Sequence, residues 1–396
     1  MVHVVVVGGG ILGLAVARAV RADGERVTVC EKEPVWAAHQ TGRNSGVIHS
    51  GLYYKPGGLK ARLCVAGAAS MAAYARERGV PCEIGGKLVI ATDHAELPAL
   101  AELERRGIAN RVPVRRLDAQ QARRYEPEVR CVAALRVEST GIVDYAAVSR
   151  AMAAELADDD VELRPGSEVL GVHVDGTGVR VQTATAELRA DALVNCAGLH
   201  SDRVARLAGL TPAARIVPFR GEYFELTPDA AARVRGLIYP VPDPAFPFLG
   251  VHLTRGIDGH VHAGPNAVLA LRREGYRWRD ASLRDLGEVL GYPGFWRLAA
   301  RHLRTGVAEL ARSASRRTFA ADLSRLVPGI RAADLVRAPA GVRAQAVGAD
   351  GALLDDFVVQ AAPRQVHVLN APSPAATSAL EIARHVAGRL AEVAPT

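Results

Sequence analysis

The chain has 396 residues, which is too long for one ordinary domain and enough for two domains with well-buried cores. Hydrophobic residues make up 49% of the chain and charged residues 23%, a composition typical of a globular protein. The net charge of +7 comes almost wholly from arginine, and no basic run with interleaved aromatic residues is present. We therefore expect no nucleic-acid partner.

The cysteine and histidine patterns argue against a disulfide framework and against a metal site. The cysteines are odd in number, scattered and without CxxC spacing, at Cys30, Cys64, Cys82, Cys131 and Cys196. This pattern is typical of reduced thiols, so we expect a cytoplasmic protein. His260 and His262 form an HxH pair without a clear third ligand, and we expect no metal.

The first 31 residues predict a dinucleotide site. Four valines at positions 4–7 predict a buried strand, and residues 11–22 predict a helix whose N-terminus faces the phosphates. Between them, Gly8 allows a tight turn, Gly10 admits a pyrophosphate and Gly13 lets the helix pack closely. Glu31 ends the next apolar run. A carboxylate at this position is expected to accept hydrogen bonds from ribose hydroxyls and to repel a 2′-phosphate. FAD or NAD is therefore favoured over NADP. A plain β-turn-α unit is the alternative.

The apolar start of the chain is interrupted by three glycines, and no basic region precedes it. This pattern predicts a first strand rather than a signal peptide or a membrane span.

The apolar periodicity then predicts a mixture of helices and short strands. Helices are expected at residues 59–78, 96–106 and 145–158, and strands at 87–91, 112–116, 133–138 and 141–144. An apolar strand at 190–198 that ends in small residues is a second sign of the nucleotide domain, with a helix at 201–208 after it. Further strands are expected at 221–226, 237–241, 249–254 and 260–263, helices within 281–309, a strand at 366–370 and a closing helix at 377–391.

This order of elements predicts an α/β fold in which the nucleotide-binding domain is discontinuous and Rossmann-like. We assign residues 1–80, 141–215 and 340–396 to that domain. Residues 81–140 and 216–339 are assigned to an inserted α+β substrate domain, built on a mixed or antiparallel sheet. The substrate cleft is expected between the two domains.

Several longer motifs resemble one family of flavoproteins. They are Thr-Gly-Arg-Asn-Ser-Gly-Val-Ile-His-Ser-Gly-Leu-Tyr-Tyr at 41–54, the run at 55–64, Gly-Val-His-Leu-Thr-Arg at 250–255, the run at 264–270, Arg-Glu-Gly-Tyr at 273–276, Ala-Gly-Val-Arg-Ala-Gln at 340–345 and Asp-Asp-Phe at 355–357. Together they are similar to L-2-hydroxyglutarate oxidases and dehydrogenases, which are FAD enzymes of the D-amino-acid-oxidase-like superfamily. The similarity covers essentially the whole chain. Two departures are Ser-Pro-Ala-Ala-Thr at 373–377, where family members usually carry Ser-Pro-Gly-Leu-Thr, and Gly58, where serine is common.

The resemblance implies oxidation of a 2-hydroxy acid, L-2-hydroxyglutarate to 2-oxoglutarate, by hydride transfer to flavin N5. The FAD is expected to bind without a covalent link, although His49 and Cys64 are candidates for one. The residues expected to hold FAD are Gly8, Gly10, Ile11, Leu12, Gly13, Glu31, Lys32, Thr41, Arg43, Asn44, Ser45, Gly46, Val169, Ala197, Gly198, Ser373, Ala375, Ala376 and Thr377. The last three of these are expected at the N-terminus of the closing helix, whose dipole would stabilise negative charge on the reduced ring.

Such an oxidation also needs a base for the hydroxyl proton and a cation for the carboxylate. We expect His252 as the base and His49 as a flavin-side or substrate-orienting group, although either one fits a hydrogen-bonded core histidine. Arg343 is the first choice for the carboxylate, with a structural interdomain ion pair as the alternative. A second carboxylate needs another polar clamp, for which the candidates are Tyr53, Tyr54, Lys55, Lys60 and Arg255.

Two other functions fit the same sequence. One is an FAD-dependent amine or amino-acid oxidase of the same superfamily, because Arg343 serves either substrate. The other is a specialised flavoprotein of a biosynthetic pathway. Oxygen and a quinone both stay open as the electron acceptor, as does a peripheral membrane contact.

Overall fold

The computed structural model of the protein describes residues 1–242 and 250–395. Its strands are β1 His3–Val7, β2 Arg26–Cys30, β3 Val47–Ile48, β4 Cys82–Glu83, β5 Lys87–Ala91, β6 Val114–Asp118, β7 Ala133–Val137, β8 Gly141–Val143, β9 Glu162–Arg164, β10 Val169–Val174, β11 Val179–Thr183, β12 Glu187–Ala190, β13 Ala192–Asn195, β14 Arg215–Leu226, β15 Leu237–Pro240, β16 His252–Arg255, β17 Val261–Gly264, β18 Val268–Leu269, β19 Leu335–Val347, β20 Val358–Ala362 and β21 Gln365–Asn370. Its helices are α1 Ile11–Ala22, α2 Leu59–Glu77, α3 Leu97–Ala109, α4 Ala119–Tyr125, α5 Tyr145–Asp158, α6 Ser201–Leu207, α7 Pro228–Ala231, α8 Leu283–Leu290, α9 Pro293–Ala314, α10 Arg316–Leu326 and α11 Ala379–Ala391.

The valine-rich first strand lies inside a six-stranded sheet of order β20-β21-β13-β1-β2-β9. β1 pairs in parallel with both β2 and β13, and burial on both faces explains why Val4 to Val7 are all apolar. Helices α1, α2, α5 and α11 contribute buried side chains to the core that this sheet shares. The carboxyl ends of β1, β2 and β13 therefore meet at one edge, which is where ligands bind in such sheets.

A second, nine-stranded sheet follows the order β18-β14-β17-β16-β15-β5-β7-β6, with β19 paired to the long strand β14. β5 pairs in parallel with β15 and antiparallel with β7, so the sheet is mixed, as predicted. Two small antiparallel sheets, β10-β11-β12 and β3-β8-β4, complete the fold. The expected combination of a Rossmann-like unit with an α+β unit on a mixed sheet is confirmed.

Some predicted bounds differ from the structure. The expected domain boundary at 340 falls inside β19, which stays in the nine-stranded sheet because Val347 pairs with Arg215. The strand expected at 249–254 is β16, which begins at His252; Leu249 lies outside the described residues. The closing helix begins at Ala379 rather than at residue 377, because residues 373–378 form turns. Within the two described ranges, no helix is both long and apolar enough to cross a bilayer.

Candidate active site between the two sheets

A cavity of about 1290 Å³ lies between the carboxyl edge of the six-stranded sheet and the nine-stranded sheet. The turn after β1 contributes Gly8 and Gly10 to its lining, and the larger sheet contributes His252 and Arg343. This volume exceeds the roughly 300–1000 Å³ of sites for drug-sized ligands. The cavity therefore has room for a dinucleotide together with a small substrate.

The glycines of the first turn are required by close backbone contacts. Gly8 has φ +110°, and a Cβ there would lie 2.5 Å from the carbonyl oxygen of Cys196. A Cβ on Gly13 would lie 1.8 Å from the carbonyl oxygen of Gly8, so Gly13 packs α1 against the turn and does not line the cavity. Gly10, Ile11 and the following Leu12 do line it. This cradle fits the pyrophosphate of a dinucleotide.

The carboxylate of Glu31 is held at the end of β2. It accepts hydrogen bonds from the backbone N–H of Gly9 at 2.6 Å and of Glu33 at 2.8 Å, and the residue is only 8% exposed. Four more of the expected cofactor residues line the cavity near it, namely Lys32, Val169, Ala197 and Gly198. A fixed acceptor at this edge fits the ribose of the adenosine half.

The segment 41–46 is folded by its own polar side chains. Thr41 Oγ1 accepts the backbone N–H of Ile11 at 3.1 Å, and Asn44 donates to the Thr41 carbonyl at 2.7 Å. Thr41, Arg43, Asn44 and Ser45 line the cavity. Gly46 does not line it; its φ of +66° and its close approach to Val143 fix the turn.

The turns that precede α11 close the opposite side of the cavity. Thr377 is fully buried, and its Oγ1 accepts the backbone N–H of His49 at 3.0 Å and hydrogen-bonds to Tyr145 Oη at 2.9 Å. Ser373, Ala375, Ala376 and Thr377 all line the cavity. The residues are therefore in the expected place, but they precede the helix rather than form its N-terminus. Together with the glycine cradle and Glu31, they fit FAD.

His252 lies in the cavity wall on β16 and is 6% exposed. Its Nδ1 is 2.9 Å from the Gly250 carbonyl oxygen, which can only accept, so Nδ1 carries the proton and Nε2 is the basic nitrogen. The ring stacks on Tyr239 with centroids 4.0 Å apart. Burial lowers the pKa of His252 to about 4, and the charges of Arg343 and Lys87 act in the same direction. The imidazole is neutral at neutral pH and able to accept a proton.

His49 lines the same cavity in a different environment. Burial lowers its pKa to about 3, and the charges of Lys87 and Lys60 also contribute. Its Nε2 is 3.3 Å from Ser373 Oγ, whereas its buried Nδ1 has no hydrogen-bond partner among the described residues. An unpartnered buried nitrogen beside the cavity is consistent with a group that contacts a ligand.

The expected substrate residues separate into two groups. Arg343 on β19, Tyr53, Tyr54 and Lys60 line the cavity, and Lys60 Nζ bonds to the Asp355 carbonyl oxygen at 2.8 Å. Arg255 and Lys55 are exposed and do not line it. Arg255 follows His252 by three positions on one strand, so the two side chains point to opposite faces. The expectation for Arg255 and Lys55 is therefore corrected.

Residues not predicted from the sequence complete this end of the cavity. Tyr223 and Tyr239 line the wall, and Lys87 lies behind it against two tyrosine rings. Lys87 is the first residue of a strand that is otherwise apolar and wholly buried. A lysine in that position was a readable signal of a buried charge.

A cluster of acidic and basic residues joins the two units near the end of β2, where the adenosine half is expected. Glu274 Oε1 lies 2.7 Å from Lys32 Nζ, 3.0 Å from His200 Nε2 and 3.3 Å from His39 Nε2. We call this set the Glu274 clasp. Burial alone would raise the pKa of Glu274, but hydrogen bonds from His200 and Lys32 hold it well below its usual range. Glu33, His39 and Glu274 are spaced closely enough for a metal ion, but the Lys32 ammonium already binds both carboxylates.

Known proteins are similar to the chain over almost its whole length. Residues 3–389 match the family described as FAD dependent oxidoreductase (DAO). The L-2-hydroxyglutarate dehydrogenase of Indibacter alkaliphilus is 44% identical over 384 residues, which cover 96% of each chain. The enzyme of that name from Escherichia coli K12 is 44% identical, covering 98% of this chain and 93% of its own length. The human mitochondrial L-2-hydroxyglutarate dehydrogenase is 43% identical, covering 97% and 87%.

Two solved structures show the same fold at low sequence identity. FAD-bound, dithionite-reduced L-alpha-glycerophosphate oxidase from Mycoplasma pneumoniae has a TM-score of 0.79 and 22% identity, covering 99% of this chain and 95% of that one. Glycine oxidase from Geobacillus kaustophilus has a TM-score of 0.73 and 18% identity, covering 100% and 96%. These two likenesses concern the fold alone.

Proposed function

The chain belongs to the FAD-dependent oxidoreductase family, and from that premise we propose that it oxidises L-2-hydroxyglutarate to 2-oxoglutarate. Its cofactor is FAD, which when bound supplies the hydride acceptor. The substrate assignment draws on relatives that are 43–44% identical and carry the name L-2-hydroxyglutarate dehydrogenase.

The observation that carries the proposal is the pairing of a neutral imidazole with a guanidinium in one cavity wall. His252 presents an unprotonated Nε2, and Arg343 lines the same cavity closely enough for its charge to act on that imidazole. A 2-hydroxy acid needs both groups, one for the hydroxyl proton and one for the carboxylate.

The chain's own residues then have separate roles. Arg343 holds the carboxylate beside the reacting carbon, and a guanidinium fork matches it with two parallel hydrogen bonds. His252 Nε2 accepts the hydroxyl proton as the C–H bond gives up its hydride, so one proton and one hydride leave the substrate together. Tyr53, Tyr54 and Lys60 are the residues we assign to the second carboxylate.

The charges at this end disfavour an amine substrate. Two carboxylates that line this part of the cavity are already paired, Asp355 with Lys60 at 3.0 Å and Glu102 with Arg106 at 3.5 Å. A substrate ammonium would meet the positive charge of Arg343, and these two carboxylates, being paired, offer it no free charge of opposite sign. A substrate carboxylate instead meets the favourable charge of Arg343.

A panel of acids and amines tests this proposal. The purified holoenzyme is mixed without oxygen with L-2-hydroxyglutarate, its D enantiomer, L-lactate, L-glutamate, glycine or sarcosine, and the visible flavin absorbance is followed. We expect rapid bleaching by L-2-hydroxyglutarate and at most slow bleaching by the others. Bleaching by an amine in preference to the hydroxy acid would assign the protein to the amino-acid oxidases instead.

We further propose that electrons leave to an acceptor other than oxygen, for which a quinone is the test case. The support is the word dehydrogenase in the names of the relatives. The substrate-reduced protein is mixed with air-saturated buffer or with a water-soluble ubiquinone analogue. Reoxidation is expected to be faster with the quinone, and equal or faster reoxidation by oxygen would reverse this assignment.

A further inference from the structure

Lys87 is a buried cation in the wall of the substrate cavity. The residue is 1% exposed, on a strand whose five residues are all buried. Its Nζ lies 4.2 Å from the ring centroid of Tyr53 and 5.0 Å from that of Tyr239, within the range of cation–π contacts. Both rings line the cavity, so the ammonium lies one side chain behind its surface.

This cation has no counter-ion of its own in the part of the chain that the structure describes. Within residues 1–242 and 250–395, no carboxylate is in ion-pair contact with Lys87, whereas Lys32 pairs with Glu274 and Lys60 with Asp355. A buried charge without a partner is costly, and burial lowers the pKa of Lys87 to about 7. The Cys64 thiol opposes that shift only in part.

Among the described residues, no acid that could take the proton of Lys87 lies near it. The titratable groups that face it or feel its charge come from several elements, and they are Tyr53, Cys64, Tyr239, His49 and His252. Both imidazoles have lowered pKa values, and burial also raises the pKa of the tyrosines and of the thiol. All five groups are therefore uncharged at neutral pH, and the natural counter-charge for Lys87 is an anion in the cavity.

We propose that Lys87 is a specificity-determining positioning residue, whose ammonium behind Tyr53 and Tyr239 makes the cavity select doubly anionic ligands and couples their binding to proton uptake. The inference rests on the proposed dicarboxylate substrate. Lys87 does not touch that substrate; it acts through the two tyrosine rings and through the potential that it imposes on the cavity.

The sign of the coupling follows from linkage. Below pH 7 Lys87 is already protonated in the free protein and attracts the dianion at no further cost. At higher pH the free protein has lost that proton, so binding must first restore it, and affinity falls. Ligand and proton therefore bind with positive cooperativity, and a bound dianion raises the pKa of Lys87.

The first test observes Lys87 directly and needs no turnover. The sequence has lysine only at 32, 55, 60 and 87, so holoenzyme labelled with 13C-lysine gives few Cε signals, and the Lys87→Met variant assigns one of them. We expect the Lys87 signal to titrate near pH 7 in the free protein and at higher pH with glutarate, a dicarboxylate that lacks the reacting hydroxyl. Titration only at the ordinary value of about 10.4, with or without glutarate, would overturn the proposal.

The second test measures glutarate binding through the perturbation of the flavin spectrum. In the wild type, Kd is expected to rise about tenfold between pH 6 and 9; in Lys87→Met it should be about tenfold weaker at pH 6 and independent of pH. Lys55→Met, the same change at an exposed lysine outside the cavity, is the matched control and should behave as the wild type. Lys87→Gln repeats the test if the methionine variant folds poorly.

The outcomes separate this inference from the proposed function. If L-2-hydroxyglutarate bleaches the flavin but both Lys87 variants keep the wild-type affinity and pH dependence, the proposed function stands and the role of Lys87 is refuted. A uniform loss of affinity at every pH would assign Lys87 to packing alone and also refute the proposal. If L-2-hydroxyglutarate does not bleach the wild type, the proposed function itself fails.

Discussion

Burial changes the chemistry of individual residues at this site. His252 would titrate near pH 6.5 in water, but burial lowers its pKa to about 4 and a carbonyl fixes the proton on Nδ1. The same residue in an exposed loop would be charged in part of the molecules at neutral pH, whereas buried His252 is neutral in all of them. The sequence indicated that a histidine was needed; the structure explains why this one is ready to accept a proton.

Replacing His252 tests whether its imidazole accepts the hydroxyl proton of the substrate. His252→Ala should keep the bound flavin spectrum but slow flavin reduction by L-2-hydroxyglutarate by about two to four orders of magnitude, because the hydroxyl proton loses its acceptor. Rapid-mixing absorbance without oxygen measures this rate. His173→Ala, at an exposed histidine on β10, is the control. A His252→Ala rate within a few-fold of the wild type would remove His252 from the role of base.

Arg343 tests whether the guanidinium shape matters beyond its charge. Arg343→Lys keeps the positive charge but loses the planar fork, so we expect KM to rise about tenfold or more while the flavin stays bound. Arg337→Lys, at an exposed position on the same strand, should leave the kinetics unchanged. Equal kinetics for Arg343→Lys and the wild type would mean that Arg343 does not bind the carboxylate in a bidentate manner.

At the scale of elements, strand pairing decides which side chains meet. β15 and β16 are antiparallel neighbours, which brings Tyr239 beside His252, and β19 carries Arg343 along β14 into the same cavity. Helix α2 packs against the turns before α11, since a Cβ on Gly67 would lie 2.7 Å from the Thr377 carbonyl oxygen. The turns before α11 therefore depend on the absence of a side chain on α2.

A matched pair of glycine substitutions tests this contact. Gly67→Ala should destabilise the protein by about 1–3 kcal/mol and weaken FAD binding, because the turn at Thr377 must move away. Gly388→Ala, on α11 with open space around it, should be stabilising by up to about 1 kcal/mol. Urea unfolding and FAD titration of the apoprotein measure both quantities. If the two variants changed stability alike, the packing of α2 on that turn would not be a constraint.

At the scale of the whole molecule, the site exists only because two units face each other. The six-stranded sheet presents the glycine cradle and Glu31, and the nine-stranded sheet presents His252 and Arg343. The Glu274 clasp ties a loop between β18 and α8 to Lys32, His39 and His200 of the first unit. We infer that this clasp closes the adenosine end over the cofactor.

Removing the charge of Glu274 should weaken FAD binding without changing the rate of flavin reduction. Glu274→Gln loses the charge shared by three basic partners, so we expect the Kd for FAD to rise about tenfold with little change in the rate of flavin reduction once FAD is saturating. Glu225→Gln, which breaks the exposed pair with His260, is the control. An unchanged FAD affinity in Glu274→Gln would show that the clasp does not contribute to retention.

The parts of the molecule that the sequence predicted best are local in origin. The strand, glycine turn and helix at residues 3–22 need only neighbouring residues, and the family and the cofactor expected from the motifs are confirmed by the comparisons with known proteins. Arg255 lies outside the cavity because it follows His252 by three positions on β16, so its side chain points to the opposite face of the strand. Lys87 carried a local signal in its apolar strand, whereas Glu274 could not be found from the sequence because its partners Lys32, His39 and His200 are distant along the chain.

The central claim is that this chain removes a hydride and a proton from L-2-hydroxyglutarate. The most direct measurement is a titration of the oxygen-free holoenzyme with this acid, following flavin absorbance and 2-oxoglutarate together. We predict that each flavin bleached yields one molecule of 2-oxoglutarate, and that His252→Ala reaches the same end point far more slowly. The flavin could instead be reduced by dithionite but stay oxidised with L-2-hydroxyglutarate, with no 2-oxoglutarate formed. That result would contradict the proposed oxidation of L-2-hydroxyglutarate.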